Sequence, residues 1–131
     1  MSAYSGVRIV DFSQGLAGPM ATMLMGDFEA EVVKIEPPQG DRLKDHPGYL
    51  TFNRNKQVMS LDLEDPEDLA RAKALIALAD VAVFDHAPGG LERLGLDAAT
   101  LTAAHPPWSM SGCRPMGPRA LGASFRRITA C

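Results

Sequence analysis

An α/β architecture follows from three features of this 131-residue sequence: a partial doubly wound, mostly parallel sheet with an irregular C-terminal tail. Short β-branched runs recur through residues 1–104, Ala/Leu-rich or amphipathic stretches separate them, and Pro, Gly or Asp marks most boundaries. Strands separated by helices require crossover connections, and crossovers make the strands parallel.

Residues 6–12 (GVRIVDF) are β-branched and closed by polar and glycine residues, which predicts a first strand. Residues 13–19 (SQGLAGP) carry turn chemistry, and Pro19 suits the first position of a helix over residues 20–28. A second strand is predicted over 31–36 (EVVKIE), stopped by Pro37 and Pro38, which cannot donate to a ladder. Residues 39–55 are polar and irregular, a length that marks a functional loop or disorder. Residues 57–63 alternate as a third strand. Asp65 then caps a helix that opens with Pro66, with Asp68 in its first turn. That helix runs to about Leu78, with Leu69, Ala72, Leu75, Ile76 and Leu78 as its apolar stripe. A fourth strand is predicted at 81–84, a short helix at 88–94 stopped by Gly95, and another helix at 98–104.

Composition narrows the function classes. With 46% hydrophobic and 22% charged residues the chain has material for one core. No run nears the ~18 apolar residues of a membrane span, and the N-terminus lacks a signal-peptide pattern, so a cytoplasmic protein without membrane partners is expected. A net charge of −3 gives no electrostatic reason for nucleic-acid binding. Cys113 and Cys131 form neither a disulfide framework nor a metal site, and no metal is expected. His46 and His86 are isolated, with no nucleophile–base constellation around them.

The rhythm stops after His105, where another apolar strand is due. Trp108, Ser109, Met110 and Ser111 require TGG, a serine codon, ATG and a serine codon. With TCN for both serines, a one-base shift reads NTG-GTC-NAT-GTC: an apolar residue, Val, a polar residue or Tyr, and Val. That is a buried-strand pattern. A frameshift near Pro107 accounts for residues 105–131 as an aberrant tail; a genuine mobile terminus is the alternative.

Three segments could carry chemistry. The 13–19 turn offers glycines for close approach and helix N–H groups for an anion, and Glu36 stands where dinucleotide folds place a ribose-binding acid. Gly15 and Gly18 do not complete a G-x-G-x-x-G pattern, and an ordinary strand–turn–helix corner uses the same residues. Asn53, Arg54, Asn55 and Lys56 suit phosphate and pantetheine contacts, or equally a solvated corner. Arg93, within PGGLERLG (88–95), could reach an anion or pair with Glu92 or solvent.

Together these blocks resemble the opening of the family III CoA-transferases, a group that includes the α-methylacyl-CoA racemases. The matching stretches are GVRIVDFS (6–13), LAGP (16–19) with ATML (21–24), AEVVKIEPP (30–38), NRNK (53–56), SLDL (60–63), and DV (80–81) with PGGLERLGL (88–96), in the family's order. The resemblance implies a Rossmann-like CoA-binding part over residues 5–104. In the full-length family it implies an interlocked homodimer that transfers CoA between carboxylic acids through thioester and mixed-anhydride intermediates on an aspartate. Acyl-CoA and a carboxylic acid are then the substrates. By carry-over, Glu36, Pro37, Asn53, Arg54, Asn55, Lys56, His86 and Arg93 hold coenzyme A, and the turn of Gln14, Gly15, Leu16, Ala17 and Gly18 faces the thioester.

Four departures qualify it. Leu16 replaces the Gln of the formyl-transferring branch, which argues against formate or oxalate. Glu29 stands where many members have Gly, so the turn there is expected to be strained. Asp85 and His86 replace the usual Asn-Phe pair; His86 either stacks on adenine or packs as an ordinary loop histidine. None of Asp41, Asp45, Asp62, Asp65, Asp80, Asp85 or Asp97 stands in the nucleophile's motif. The expectation is therefore a truncated, catalytically inactive N-terminal fragment of such a transferase. A racemase-like fragment and a non-catalytic CoA- or nucleotide-binding module are the alternatives. An exposed sheet edge and low solubility are expected with it.

Overall fold

The computed structural model describes residues 2–86, 89–105, 111–112 and 129–130. Its centre is a four-stranded sheet of β1 (Arg8–Asp11), β2 (Glu31–Glu36), β3 (Lys56–Ser60) and β4 (Val81–Val83), in the order β3-β2-β1-β4. All three pairings are parallel, with Val10 beside both Val33 and Ala82, and Lys34 beside Val58. The chain steps outward from β1 to β3 and returns on the other side of β1, so the order reverses between β1 and β4.

Alternation along the strands sorts the sheet into two faces. Val10, Ile35 and Ala82 pack with Phe12, Leu61 and Phe84 against Ala72 and Ile76 of α3 (Pro66–Leu78). On the other face Ile9, Val32 and Val83 pack with Met25 of α1 (Ala17–Asp27). Asp11 at the end of β1, Lys34 in β2 and Lys56 at the start of β3 also occupy this second face, and the side chains of all three are sealed from solvent.

The remaining described elements are α2 (Tyr49–Phe52), α4 (Gly90–Leu94), α5 (Ala98–Ala104) and a small parallel pair, β5 (Ser111–Gly112) with β6 (Thr129–Ala130). α3 begins as expected: Asp65 accepts from the N–H groups of Glu67 and Asp68, and Pro66 needs no partner at the first position.

Other boundaries differ from expectation. α1 starts at Ala17, three residues early; Pro19 then falls inside the first turn, where its missing N–H is not needed. β3 stops at Ser60, because β2 ends at Glu36 before two prolines; Leu61 N–H makes the last bond to the Glu36 carbonyl at 2.9 Å. α2 lies inside the stretch read as irregular. It is a single turn without a capping side chain, too short to leave a period in the sequence. The helix expected from Pro88 is α4 and begins at Gly90; Pro88 lies outside the described residues, as do 106–110, 113–128 and 131 of the tail.

Candidate functional site

A cleft of about 420 Å³ opens beyond the C-terminal ends of the strands. It lies where the strand order reverses, the position at which open α/β sheets bind ligands. Phe12, Ile35 and Leu61 line its apolar part. Its rim comes from four connections: Gln14 after β1, Pro37, Pro38 and Gln39 after β2, Asp62, Leu63 and Glu64 after β3, and His86 after β4. Gly90, Arg93 and Leu94 of α4 close one side.

The turn that carries Gln14 is held from several directions. Asp11 accepts from both the backbone N–H and the hydroxyl of Ser13. Lys34 Nζ donates to the Ser13 carbonyl at 2.8 Å. Gly18 packs so closely on the Ser13 side chain that an added Cβ would collide with it. The Gln14 N–H donates to Asp85 at 3.0 Å, and its side-chain oxygen accepts from Arg42 N–H at 3.3 Å. Arg42 also reaches the Gln14 carbonyl (3.1 Å) and Asp85 (3.3 Å), so the loops after β1, β2 and β4 are laced together beside the cleft. Gly15 takes the left-handed φ of +90° that this turn requires, and Leu16 is half exposed.

Phe12 and Phe84 stack at 4.7 Å and 8°, and His86 meets Phe84 edge-on at 6.4 Å. Burial pushes the His86 imidazole below its ordinary pKa, against the pull of Asp85 and with Arg42 adding to the effect, which disfavours its charged form. Its Nδ1 is closed to solvent and has no hydrogen-bond partner among the described residues. A buried polar atom without a partner at a cleft fits a ligand that supplies one. Burial also raises the Asp85 carboxyl, although the Gln14 N–H and Arg42 oppose it.

The cleft thus gathers Gln14, Pro37, His86 and Arg93 from the expected set. Glu36 is buried next to it but does not line it; its carboxylate accepts from Tyr49 Oη at 2.5 Å. That bond and burial raise the Tyr49 phenol well above its ordinary range. Asn53, Arg54, Asn55 and Lys56 are not brought to the cleft: they precede or open β3, whereas the cleft lies past its other end. Their polar groups are also engaged. Arg54 forms a two-pronged pair with Asp27 (2.5 and 3.1 Å), and Asn55 donates to the same carboxylate. Asn55 also takes a φ of +60°, a turn requirement that Asn meets readily. Lys56 Nζ contacts Asp11 (3.0 Å), the Pro19 carbonyl (2.9 Å) and Asn53 Oδ1 (3.1 Å). Burial lowers the Lys56 ammonium, with Asp11 opposing.

Residues 61–64 are not among the site residues expected from the sequence, although Leu61, Asp62 and Leu63 belong to the matching stretch SLDL. The signal available was positional: they follow a strand of a parallel sheet on the side where ligands bind.

Sheet, reversal point and rim describe a crevice of the doubly wound α/β class. Residues 4–114 match the family model of CoA-transferase family III, and the chain belongs to that family. It is 34% identical over 143 aligned positions to succinyl-CoA:glutarate CoA-transferase of Mus musculus, covering 99% of this chain and 33% of that protein. It is 40% identical over 101 residues to the CoA-transferase/lyase DddD of Marinomonas, covering 77% of this chain and 12% of the relative. Among solved structures, Rv3272 from M. tuberculosis superimposes with a TM-score of 0.76 at 33% identity, over 81% of this chain and 30% of that one. The chain therefore spans about a third or less of the length of these relatives. Among the described residues no helix is long and apolar enough to cross a membrane, and no cluster of side chains suited to a metal ion occurs.

Proposed function

We propose that this chain supplies the coenzyme-A-binding part of a cytoplasmic family III CoA-transferase, whose whole form moves CoA from an acyl-CoA to a carboxylic acid as a homodimer. In this reading the nucleotide of CoA lies in the cleft, with its adenine against the His86 ring and Pro37 and a phosphate on Arg93. The thioester end runs toward the turn of Gln14, Gly15, Leu16, Ala17 and Gly18. The observation that carries the reading is the His86 Nδ1, without a hydrogen-bond partner among the described residues, in a cleft at the reversal point of the sheet, with Arg93 on the same cleft.

We further propose that the 131-residue chain by itself grips CoA without transferring it. Transfer needs a carboxylate free to become an acyl anhydride. The three aspartates around the turn are each engaged: Asp11 with Ser13, Thr22 and Lys56, Asp41 with Lys34, and Asp85 with Gln14 and Arg42. The test is calorimetric titration of the chain with CoA, beside an assay of CoA exchange between succinyl-CoA and glutarate. Saturable binding without exchange is expected. Absence of binding would overturn the first proposal, and unaided exchange the second.

A further inference from the structure

Arg93 is the only permanent cation among the described residues lining the cleft, and Glu64 already occupies it: Nη2 lies 2.8 Å from Oε1. The contact spans two connections, residues 61–64 after β3 and helix α4. Both ends are anchored. Asp62 Oδ1 accepts the Glu64 N–H at 3.0 Å, the Asp65 N–H bonds back to the Asp62 carbonyl at 2.9 Å, and the Asp62 N–H donates to Asp68 at 2.9 Å. This folded turn holds Glu64 at the rim. On the other side, Leu91 and Leu94 pack on the core and the Leu96 N–H bonds the Leu91 carbonyl at 2.9 Å, which seats α4 with Arg93 at the cleft.

We infer that Glu64 is a built-in competitor for the ligand's phosphate, a residue that sets both the affinity for CoA and its dependence on salt. The inference rests on the proposed binding of CoA in this cleft. A guanidinium satisfies an incoming phosphate fully only when its fork is open. Here the phosphate must displace the Glu64 carboxylate and then remain close to it, so each bound CoA carries a like-charge cost that a neutral side chain would remove. The pair itself is well exposed, so its loss costs the fold little.

Calorimetric titration of CoA into the full chain and its Glu64→Gln variant tests this, with Glu67→Gln as a control. Glu67 is an exposed acid in the first turn of α3 that does not line the cleft, and the control makes the same change in net charge. The expected result is CoA binding about fivefold tighter in Glu64→Gln, the size of one exposed charge pair, with little change in the control. Equal tightening in both variants, no tightening, or weaker binding in Glu64→Gln overturns the competitor role and leaves the cleft as a CoA site. No CoA binding by any of the three proteins overturns the site and the competitor together.

Discussion

Lys34 and Asp41 meet with Nζ 2.8 Å from Oδ2, and neither side chain is more than 1% exposed. Lys34 also holds the Ser13 carbonyl, so this one ammonium ties the loop after β2 to the turn that carries Gln14. Removing one partner leaves a buried charge without its counter-ion, which costs far more than the pair contributes. Asp41→Asn is expected to lose about 3–5 kcal/mol in denaturant unfolding. A Lys34→Met, Asp41→Leu double variant is expected to recover much of that loss. Burial alone would raise the Asp41 carboxyl, but Lys34 and the Leu43 N–H outweigh it and hold it below its ordinary 3.8. A carboxylate depressed in the folded state adds stability above its unfolded pKa and loses it as the pH falls through the folded value. The wild-type chain should therefore lose stability on acidification below about pH 4 more steeply than Asp41→Asn.

The turn between α1 and β2 carries the strain expected of it. Glu29 has a φ of +72°, in the left-handed region where a Cβ crowds the following carbonyl. Glycine removes that crowding at some cost in unfolded-chain entropy. Glu29→Gly is expected to raise stability by roughly 1 kcal/mol, read as a higher unfolding midpoint. An unchanged or lower midpoint would show that the side chain contributes more than the backbone strain costs.

Local signals explain what the sequence made legible. β2 is bounded by two prolines on one side, and α3 by an Asp–Pro pair that both caps and fixes its first turn. Lys56 illustrates the rest. Beside Arg54 and two amides it has the composition of a phosphate contact, yet its partner Asp11 lies 45 residues away and meets it only once the sheet forms. The same holds for the Glu64–Arg93 contact across the cleft, 29 residues apart, since pairing between distant residues leaves no period. The sequence held one clue: Lys34 stands between Val33 and Ile35 in an otherwise apolar stretch of β2, and a charge buried there needs a partner.

His86 supplies a pH signature. Burial lowers its pKa below 6.5, with Asp85 opposing and Arg42 adding to the effect. A histidine depressed in the folded state binds fewer protons than in the unfolded chain. Its contribution to stability is complete above 6.5 and is lost as the pH falls through the folded value. His86→Phe preserves an aromatic ring beside Phe84 and removes the titration. Melting curves from about pH 7 to 5 should decline less for the variant than for the wild type. Parallel declines would mean that His86 is charged in the fold.

Two arginines stand in segments with the composition of anion sites, and their surroundings assign them different work. Arg54 is spent on Asp27, whose carboxyl it holds below the ordinary range through a paired hydrogen bond. That contact fastens the corner before β3 to the end of α1, away from the cleft. Arg93 lines the cleft, and its partner Glu64 is an exposed acid that a phosphate can replace. A charge-assisted bond to phosphate contributes about 1.5–3 kcal/mol, so Arg93→Ala should weaken CoA binding about tenfold or more while leaving the unfolding midpoint nearly unchanged. Arg54→Ala should do the reverse, lowering the midpoint and leaving the CoA affinity within error. Titration and melting of both variants separate the two roles, and a loss of CoA affinity confined to Arg54→Ala would move the phosphate site to the start of β3.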